Sequence, residues 1–488
     1  MTSDSAAGAS HSAGRQLLGK GSIYTLGTAL QLLAAAIAIP AATRLLGSSE
    51  FGIVTLAITS QTILIPIAGL GLPVAILRFF FGEEDGVREP TLARELAMSV
   101  PLLSLITVGV VFLTGLAWAP ALVPDDPGAI LLGIGISLPG ATVGAAMALL
   151  RAEERPTSYI TVALVSSVGA QALGITALLI VDRTPLSYLG GFAIAVVLAA
   201  VVGLALSDAL GTRPAPRPVI ERALRYSLPT IPNTISIFVL AFGDRVIIQL
   251  IDGSSAVGKY QIGYAFGSIG IALITALQNA WLPLTFGADE ERRWKTLADT
   301  GATVTRLAAF AAGGLALTAH AVLRLFIPSS YNPGLLADVS AIVALTTLPV
   351  AAYIAQSQVL LWTKHTRPLA VITPISAVCN LILVAVMLDP FGLRGAASAT
   401  VIAASLQAAL TGAAARRLGF QVPWKVRRNL ESYALGGAAV AVALVLPDTA
   451  LGDVVRLAIA ALCGLGFAWA VLHQFQPRRA PEPAPEAA

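Results

Sequence analysis

The 488-residue sequence contains little charge for its length. Charged residues make up 12% of the chain and hydrophobic residues 56%, whereas an ordinary soluble domain is about a quarter charged. The mean hydropathy is +0.79. A soluble core could not bury this much apolar surface, so the composition indicates a polytopic membrane protein. The net charge of +4 is small and does not indicate a nucleic-acid partner.

The residues that several site chemistries require are scarce. Cys379 and Cys463 both fall in apolar segments, which supports neither a disulfide framework nor a zinc site. No Gly-rich phosphate loop with its lysine is present, so ATP hydrolysis is not expected. The four histidines have no metal-ligand spacing and are interpreted as structural or interfacial: His11, His320, His365 and His473. We therefore expect no cofactor, no metal and no catalytic residue.

Loops large enough to form a catalytic module are also missing, so the chain is not expected to be an enzyme. The acidic clusters at residues 83–85 and 289–291 lie beside arginines on short loops and are interpreted as solvated charges. The first apolar segment is too long for a cleavable signal peptide and has no convincing cleavage site.

What the sequence has in abundance is long apolar segments. A helix crossing the roughly 30 Å hydrocarbon core needs about 20 residues, and fourteen segments approach or exceed this length. They are residues 22–42, 51–76, 96–118, 129–150, 158–180, 187–207, 226–250, 261–284, 303–325, 336–360, 368–388, 395–414, 431–447 and 454–472. The sequence therefore predicts an all-α membrane protein with about 14 transmembrane helices.

Basic residues alternate along the connections between these segments. When the connections are numbered from the N-terminus, 24 of the 31 Lys and Arg residues fall in one alternate set and seven in the other. The seven are Arg44, Arg183, Arg245, Lys259, Arg324, Arg394 and Arg456. Because cytoplasmic loops carry the excess of Lys and Arg, we predict a protein of the cell membrane with both termini cytoplasmic.

The predicted helices divide into two lobes of six and an additional pair. We assign the lobes to residues 21–207 and 226–415, and the additional helices to residues 431–473. Residues 208–225 form a cytoplasmic linker, of which the Pro-rich part, 208–220, is expected not to be helical. The other segments are a basic cytoplasmic loop and two disordered cytoplasmic termini, at residues 416–430, 1–20 and 474–488.

One short motif occurs once in each predicted lobe. Residues 47–52 and 253–258 both have the pattern Gly-Ser-Ser-x-apolar-Gly, and each lies between two long apolar segments. Glycines around two serines favour a tight turn, because Gly accepts positive φ and Ser caps the next helix. Their equivalent positions indicate an internal repeat, as in two-lobed transporters; chance is the alternative, because Gly-Ser turns are common.

Asp244 and Arg245 place charge within an apolar segment, where charges are costly and usually face a cavity or a partner. The helix from Leu228 to Asp244 is about 24 Å long, so Asp244 is expected about 6 Å inside the outer boundary. Adjacent helical positions point about 100° apart. We therefore expect Arg245 to extend outward and Asp244 to face a lumen or another helix; alternatively, the pair only anchors this helix.

Other polar residues are candidates for contacts with a substrate. Arg44, at the end of the first predicted helix, either presents a cation to an anionic substrate or extends to lipid headgroups. Amides on the helices either bind sugar hydroxyls or join helices to one another. With Arg44, Asp244 and Arg245, the candidate substrate-binding residues are Gln31, Gln61, Asn233, Gln278, Asn279, Gln356 and Asn380.

Several stretches resemble bacterial polysaccharide flippases. Residues 40–52, Pro-Ala-Ala-Thr-Arg-Leu-Leu-Gly-Ser-Ser-Glu-Phe-Gly, are similar to that family's opening motif, and Gly-Leu-Gly-Leu follows at 69–72. In the second half, Asp-Arg-Val-Ile at 244–247 and Ala-Val-Gly-Lys-Tyr at 256–260 are similar to its second pattern. The chain thus resembles, to about residue 414, the Wzx-type flippases of the multidrug/oligosaccharidyl-lipid/polysaccharide (MOP) exporter superfamily.

This resemblance implies a fold, a substrate and partners. The implied fold has two six-helix lobes about a two-fold axis along the membrane normal, with a central cavity open to one side at a time. The implied substrate is an undecaprenyl-diphosphate-linked oligosaccharide, which moves from the inner to the outer leaflet. Membrane lipids, a polysaccharide polymerase and glycosyltransferases are further partners; nucleic acid is not.

Other functions stay open at this stage. An ion-coupled multidrug or metabolite antiporter of the same superfamily would favour acidic residues in the first lobe. In this sequence the first two predicted helices contain none, and Glu50 lies between them. A lipid II flippase would carry several arginines along that lobe, where only Arg44 and Arg78 are evident, both near helix ends. A membrane glycosyltransferase or polymerase would need a catalytic residue on a large external loop, and a scaffold would not need charge within the membrane.

Overall fold

The computed structural model describes residues 34, 37–82, 89–287 and 289–474. In this part of the chain the secondary structure consists of helices joined by turns, without a β-strand. The predicted all-α class is therefore confirmed. The expected disordered N-terminus, and the expected C-terminal tail apart from its first residue, lie outside the described residues, as does the acidic cluster at 83–85.

The first half forms eight described helices. They are α1 (37–45), α2 (Ser48–Ala68), α3 (Leu72–Phe80), α4 (Pro90–Leu122), α5 (Pro127–Ala152), α6 (Pro156–Leu164), α7 (Ala170–Ile180) and α8 (Pro185–Leu206). A π-helical turn, Val165–Gly169, joins α6 to α7. Four of these helices begin with proline, which fits the first turn because the N–H that proline lacks has no helical acceptor there.

The second half and the C-terminal pair form eleven described helices. They are α9 (Arg217–Ser227), α10 (Ile231–Phe242), α11 (Asp244–Asp252), α12 (Ser254–Gly267), α13 (Ile269–Phe286), α14 (Glu290–Phe326), α15 (Pro333–Leu345), α16 (Thr347–Trp362), α17 (Arg367–Arg417), α18 (Val426–Val445) and α19 (Ala450–Gln474). Several pairs, such as α10 with α11 and α15 with α16, follow each other without a loop.

The lengths and hydropathies of these helices fit a polytopic membrane protein. Among the described residues, nine helical stretches are long and apolar enough to cross a membrane, or up to 11 if each of two bent pairs is one span. The bent pairs are α9–α10 with α11, at 49°, and α12 with α13, at 46°. The first predicted span, 22–42, is described only in part.

The longest helix, α17, contains two of the predicted spans. Its 51 residues would extend about 76 Å if straight, which is far more than one bilayer core. At Gly392 the backbone leaves the helical conformation, with φ 58° and ψ −149°. A Cβ on Gly395 would lie 2.0 Å from the carbonyl oxygen of Met387, so the chain folds back sharply. The two arms correspond to the predicted spans 368–388 and 395–414.

The linker between the two halves is partly helical. Residues 208–216 are not helical, as expected, but α9 begins at Arg217, so the expectation is wrong for residues 217–220. Pro218 lies in the first turn of α9, where proline is tolerated. At the other end of this helix, the Ser227 hydroxyl donates to the Leu70 carbonyl at 2.7 Å, which fastens the linker helix to the first half.

Small residues let neighbouring helices approach closely. A Cβ on Gly133 in α5 would lie 2.4 Å from the carbonyl oxygen of Ala57 in α2. A Cβ on Gly191 in α8 would lie 2.2 Å from the carbonyl oxygen of Leu173 in α7. Such close contact provides the van der Waals packing that holds membrane helices together.

The last two helices pack on α14 and are joined to it by charged groups. The buried Arg456 of α19 contacts Asp453 at 3.0 Å and Asp448 at 3.4 Å. Arg324 of α14 contacts Asp453 at 2.6 Å, and His320 Nε2 lies 3.2 Å from Asp448. This network fastens the additional helices at the end of the molecule that the basic-residue pattern predicts to be the outer one.

Candidate functional site

The two copies of the repeated motif lie against each other. The hydroxyl oxygens of Ser48 and Ser255 are 2.7 Å apart. A Cβ on Gly52 would lie 1.8 Å from the carbonyl oxygen of Ser254, and one on Gly258 would lie 2.2 Å from that of Ser48. Each motif thus places its last glycine on the first serine of the other. This reciprocity indicates a pseudo-two-fold relation between the halves, and we call the contact the seam.

Two further hydrogen bonds join the halves near the seam. The Tyr331 hydroxyl donates to the carbonyl of Leu46 at 2.8 Å. The Gln249 side chain donates from Nε2 to the carbonyl of Leu122 at 2.9 Å. All these groups belong to helix ends and turns that the predicted topology assigns to the outer side. The halves therefore meet at this end of the molecule.

Behind the seam, Asp244 and Arg245 form an ion pair at a bend between helices. The axis turns by 49° at Gly243, between α10 and α11. Arg245 Nη1 donates to Asp244 Oδ1 at 2.5 Å, and the Arg245 backbone N–H donates to the same oxygen at 2.9 Å. Asp244 is also the first residue of α11, where the helix dipole favours a negative charge.

Residues of α12 surround this pair. Gln261 Oε1 accepts from Arg245 Nε and Nη2 at 3.1 and 3.0 Å. The Tyr260 hydroxyl donates to Asp244 Oδ2 at 2.6 Å. The Arg245 guanidinium carbon lies 4.1 Å from the centre of the Tyr264 ring, within cation–π range. Both charges are therefore compensated within the protein.

The expectation that Arg245 extends outward is wrong. Its side chain is 0% exposed and that of Asp244 is 1% exposed. The sequence argument assumed a straight helix, whereas the bend and the polar groups of α12 give the guanidinium partners beside Asp244. In this conformation, both side chains make their hydrogen bonds to neighbouring protein groups. A role for either residue in substrate binding therefore stays a prediction.

Asn380 lies at the same bend, from the side of α17. Its Nδ2 donates to the carbonyl of Leu240 at 3.4 Å, and Arg245 Nη1 donates to the next carbonyl, that of Ala241, at 2.7 Å. A bend disrupts the backbone hydrogen bonds of a helix, and these two side chains satisfy the carbonyls beside it. Asn380 Oδ1 is buried without a hydrogen-bond partner among the described residues.

Arg44 lies at the end of α1 with its side chain exposed. Within the described part of the chain, no carboxylate forms an ion pair with it. The Glu50 carboxylate turns back only as far as Gly47, where a Cβ would lie 2.4 Å from Glu50 Oε2. Arg44 is therefore a cation beside the seam that has no ion-pair partner among the described residues. The structure does not bring Arg44 into contact with Asp244, Arg245 or the described amides.

The predicted amides occupy different environments. Gln61 is buried in α2, with Nε2 3.5 Å from the position of a Cβ on Gly140. Asn233 and Gln278 are half-buried. Gln356 lies against the end of α17, and its Oε1 is buried without a partner among the described residues. Gln31 and the side chain of Asn279 lie outside the described residues, so their roles stay predictions.

Metal-ligating side chains do not cluster in this part of the chain. Among the described residues, no group of three or more His, Cys, Asp and Glu side chains is placed to hold a metal ion.

A model of one protein family matches the sequence over residues 17–287, which is more than half of the chain, and its description is polysaccharide biosynthesis protein. The chain belongs to the polysaccharide biosynthesis protein family. A search of the curated proteins found no significant match. The family assignment agrees with the motif resemblance at residues 40–52 and 256–260.

Solved structures of transporters share the fold of this family member. A lipid II flippase, MurJ, in an inward closed conformation, has a TM-score of 0.71 at 14% identity and covers 94% of this chain and 99% of its own. Multidrug resistance MATE transporters of the MOP superfamily, inward-facing and outward-facing, each have a TM-score of 0.52, at 18% and 16% identity. Each covers 86% of this chain and 96% of its own. At these identities the likeness establishes the fold alone, which this chain shares with MurJ and with these MATE transporters.

Sequence reasoning missed several residues that complete this site. Tyr264 and Gln261 were not selected, although Tyr260 and Tyr264 are four residues apart on α12 and therefore face the same side. The contact between Ser48 and Ser255 was also missed, although the repeat itself was recognised. Within the stretch 256–260, whose resemblance to flippases the sequence had shown, Tyr260 is the residue that reaches Asp244.

Proposed function

We propose that this chain is a flippase that moves undecaprenyl-diphosphate-linked oligosaccharide units across the cell membrane for surface polysaccharide synthesis. The observation that carries the proposal is the reciprocal seam between two repeats in a member of the polysaccharide biosynthesis family. A symmetric contact at one end of two similar halves provides an element that closes one side of the molecule and that opens when the halves separate.

The proposed cycle is alternating access of the two halves. Closure at the seam keeps the outer side shut while substrate enters from the inner leaflet. Opening breaks the hydrogen bond between Ser48 and Ser255 and the bonds from Tyr331 and Gln249, which are few. The bends at Gly243 and between α12 and α13 let these helices change direction without loss of packing along their whole length.

The proposed substrate has chemical groups that these polar residues would bind. Its diphosphate is anionic, its glycan carries hydroxyl groups, and its prenyl tail is apolar. Arg44 lies beside the seam without an ion-pair partner among the described residues. It suits the diphosphate, because guanidinium holds phosphate oxygens through two parallel hydrogen bonds. Buried amides such as Gln61 suit hydroxyl groups.

We expect substitutions of Arg44 to lower polymer export in the order wild type, Arg44→Lys, Arg44→Ala. Lysine keeps the charge but loses the planar pair of donors, and alanine loses both. Loss of one charge-assisted contact to phosphate corresponds to about a tenfold decrease in transport. The measurement is cell-surface polymer per unit of membrane-inserted protein in a strain that lacks the wild-type gene.

Exposed Arg217 on α9, which pairs with Glu221, provides the control variant Arg217→Gln. Equal export by the Lys variant and wild type, with a defect only in Ala, would assign Arg44 to contact with lipid headgroups. Full export by the Ala variant would remove Arg44 from the transport site altogether.

The proposal includes the division into lobes and the orientation that the sequence predicts. The lobes are residues 21–207 and 226–415, with cytoplasmic termini and residues 431–473 as an additional pair of helices. The protein works in the cell membrane beside the glycosyltransferases that build the lipid-linked unit and the polymerase that uses it. It binds the unit and releases it unchanged, so it is not an enzyme.

A lipid II flippase and an ion-coupled antiporter are the rivals with the same fold. Fold likeness does not separate them, because MurJ and the MATE transporters both share it. The family match favours polysaccharide precursors. In α2, the one carboxylate is that of Glu50, which lies in the first turn. The rest of this helix has no acidic residue that would support ion coupling.

A further inference from the structure

A second polar site lies away from the seam, at the end of the second half that is predicted to be cytoplasmic. A cavity of about 260 Å³ opens between α16, the end of α17 and the loop that follows. Its lining combines polar side chains with aromatic rings: Gln356, Arg416, Gln421, Phe420 and Trp424. The cavity is separate from the residues proposed above for transport, apart from Gln356.

The shape of this cavity depends on how α17 ends. Gly419 has a φ of 86°, and its N–H and that of Phe420 donate to the carbonyls of Arg416 and Ala415 at 3.0 and 3.1 Å. This pattern is a Schellman motif, in which a left-handed glycine turns the chain away from the helix. The turn leaves Arg416 on the last turn of α17 and directs Phe420 and Trp424 to the other side of the cavity.

The aromatic wall is held in place by packing. The Phe420 ring contacts the rings of Trp294 and His365, with centroids 6.5 and 5.7 Å apart. Trp424 packs on Gly301 of α14, where a Cβ would lie 3.3 Å from the indole ring. The wall is therefore preformed, which lowers the cost of binding a ligand.

The polar side of the cavity has unused hydrogen-bonding capacity. Gln356 Oε1 is buried without a partner among the described residues, and a Cβ on Gly412 would lie 2.9 Å from it. Arg416 is exposed and forms no ion pair with a described carboxylate. By contrast, Lys425 pairs with Asp299 at 3.4 Å and Arg427 with Glu431 at 3.0 Å. Arg416, on the last turn of α17, thus lines the cavity and has no ion-pair partner among the described residues, so its guanidinium can bind an anion.

We propose that this cavity binds the phosphate-bearing headgroup of an anionic lipid in the cytoplasmic leaflet. Guanidinium binds phosphate oxygens, the Gln356 amide accepts from a headgroup hydroxyl, and the indole covers its apolar face. Basic pockets between membrane helices on this side bind anionic headgroups for these reasons. The proposal does not depend on which substrate the protein transports.

Binding to the full-length protein in detergent tests the proposal. The ligands are dioctanoyl phosphatidylglycerol and farnesyl diphosphate, with dioctanoylglycerol and farnesol as their phosphate-free counterparts. The variants are Arg416→Gln, Gln356→Leu and, as matched control, Arg417→Gln, because Arg417 is the adjacent exposed cation that does not line the cavity. The measurement is the apparent Kd from the ligand-dependent increase in melting temperature.

We expect a phosphate-bearing ligand to stabilise the wild type and Arg417→Gln, and its phosphate-free counterpart not to do so. Arg416→Gln should raise the apparent Kd about tenfold, which is the loss of one charge-assisted contact, and Gln356→Leu should raise it by less. Preference for phosphatidylglycerol identifies a phospholipid as the ligand, and preference for farnesyl diphosphate identifies a prenyl carrier. Equal Kd values for Arg416→Gln and Arg417→Gln, or equal binding of the phosphate-free ligands, would overturn the proposal.

Discussion

Oxidation of a Ser48→Cys, Ser255→Cys double variant is expected to abolish transport. The two hydroxyl oxygens are 2.7 Å apart in the seam, so sulfur atoms at these positions reach disulfide distance with a small shift. A disulfide there would hold α2 to α12 and keep the outer side closed. Transport should fall in proportion to the cross-linked fraction and return on reduction.

This experiment needs a background without the native thiols, Cys379 and Cys463. Each single-cysteine variant should transport normally under oxidation and provides the control for the substitution itself. Full transport by quantitatively cross-linked protein would mean that the seam does not separate during the cycle. The proposed mechanism would then be wrong, although the fold and the family would stand.

The second large effect is expected at the buried ion pair. Asp244→Asn leaves the Arg245 guanidinium without its carboxylate at a position that is 0% exposed. Breaking a buried pair from one side costs about 3–5 kcal/mol. We therefore expect Asp244→Asn to reduce the amount of folded protein and its melting temperature as well as transport. Arg245→Gln should do the same.

The double variant Asp244→Asn, Arg245→Gln separates stability from transport. Removing both charges leaves neither uncompensated and should restore most of the stability, because a neutral replacement of a buried pair is often tolerated. Arg217→Gln, which breaks the exposed pair with Glu221, is the control and should change little. If Asp244→Asn alone is as stable as the wild type, the pair does not hold α11 to α12 as the geometry indicates.

The sequence predicted the helical membrane class well because long apolar segments are a local property. Within the described residues, the predicted spans from 51–76 onward lie on α2 to α8 and α10 to α19, whereas the helix α9 lies mostly in the predicted linker. Several of these spans are divided by bends or turns. The span 51–76, for example, is divided between the end of α2 and the start of α3, where Gly71 has a φ of 65°. A glycine in that conformation ends a helix whatever the hydropathy of the segment.

The contact at the seam and the direction of Arg245 could not be predicted from the sequence, for a physical reason. The direction of Arg245 depends on the bend at Gly243 and on Tyr264, which comes from the next helix. The contact between Ser48 and Ser255 joins residues 207 apart in the chain. The repeat predicted that the two motifs are equivalent, but not that they touch, because equivalence under a two-fold axis fixes orientation and not distance.

The central claim is that the protein moves a lipid-linked oligosaccharide between leaflets. The most direct test is purified protein reconstituted in liposomes, with undecaprenyl-diphosphate-linked oligosaccharide in both leaflets and a membrane-impermeant reagent that modifies the exposed glycan. We predict that wild-type protein makes nearly all of the glycan accessible, whereas the oxidised Ser48→Cys, Ser255→Cys protein leaves about half protected, as do liposomes without protein. Protection of half the glycan with wild-type protein, while lipid II in a parallel assay becomes fully accessible, would contradict the claim.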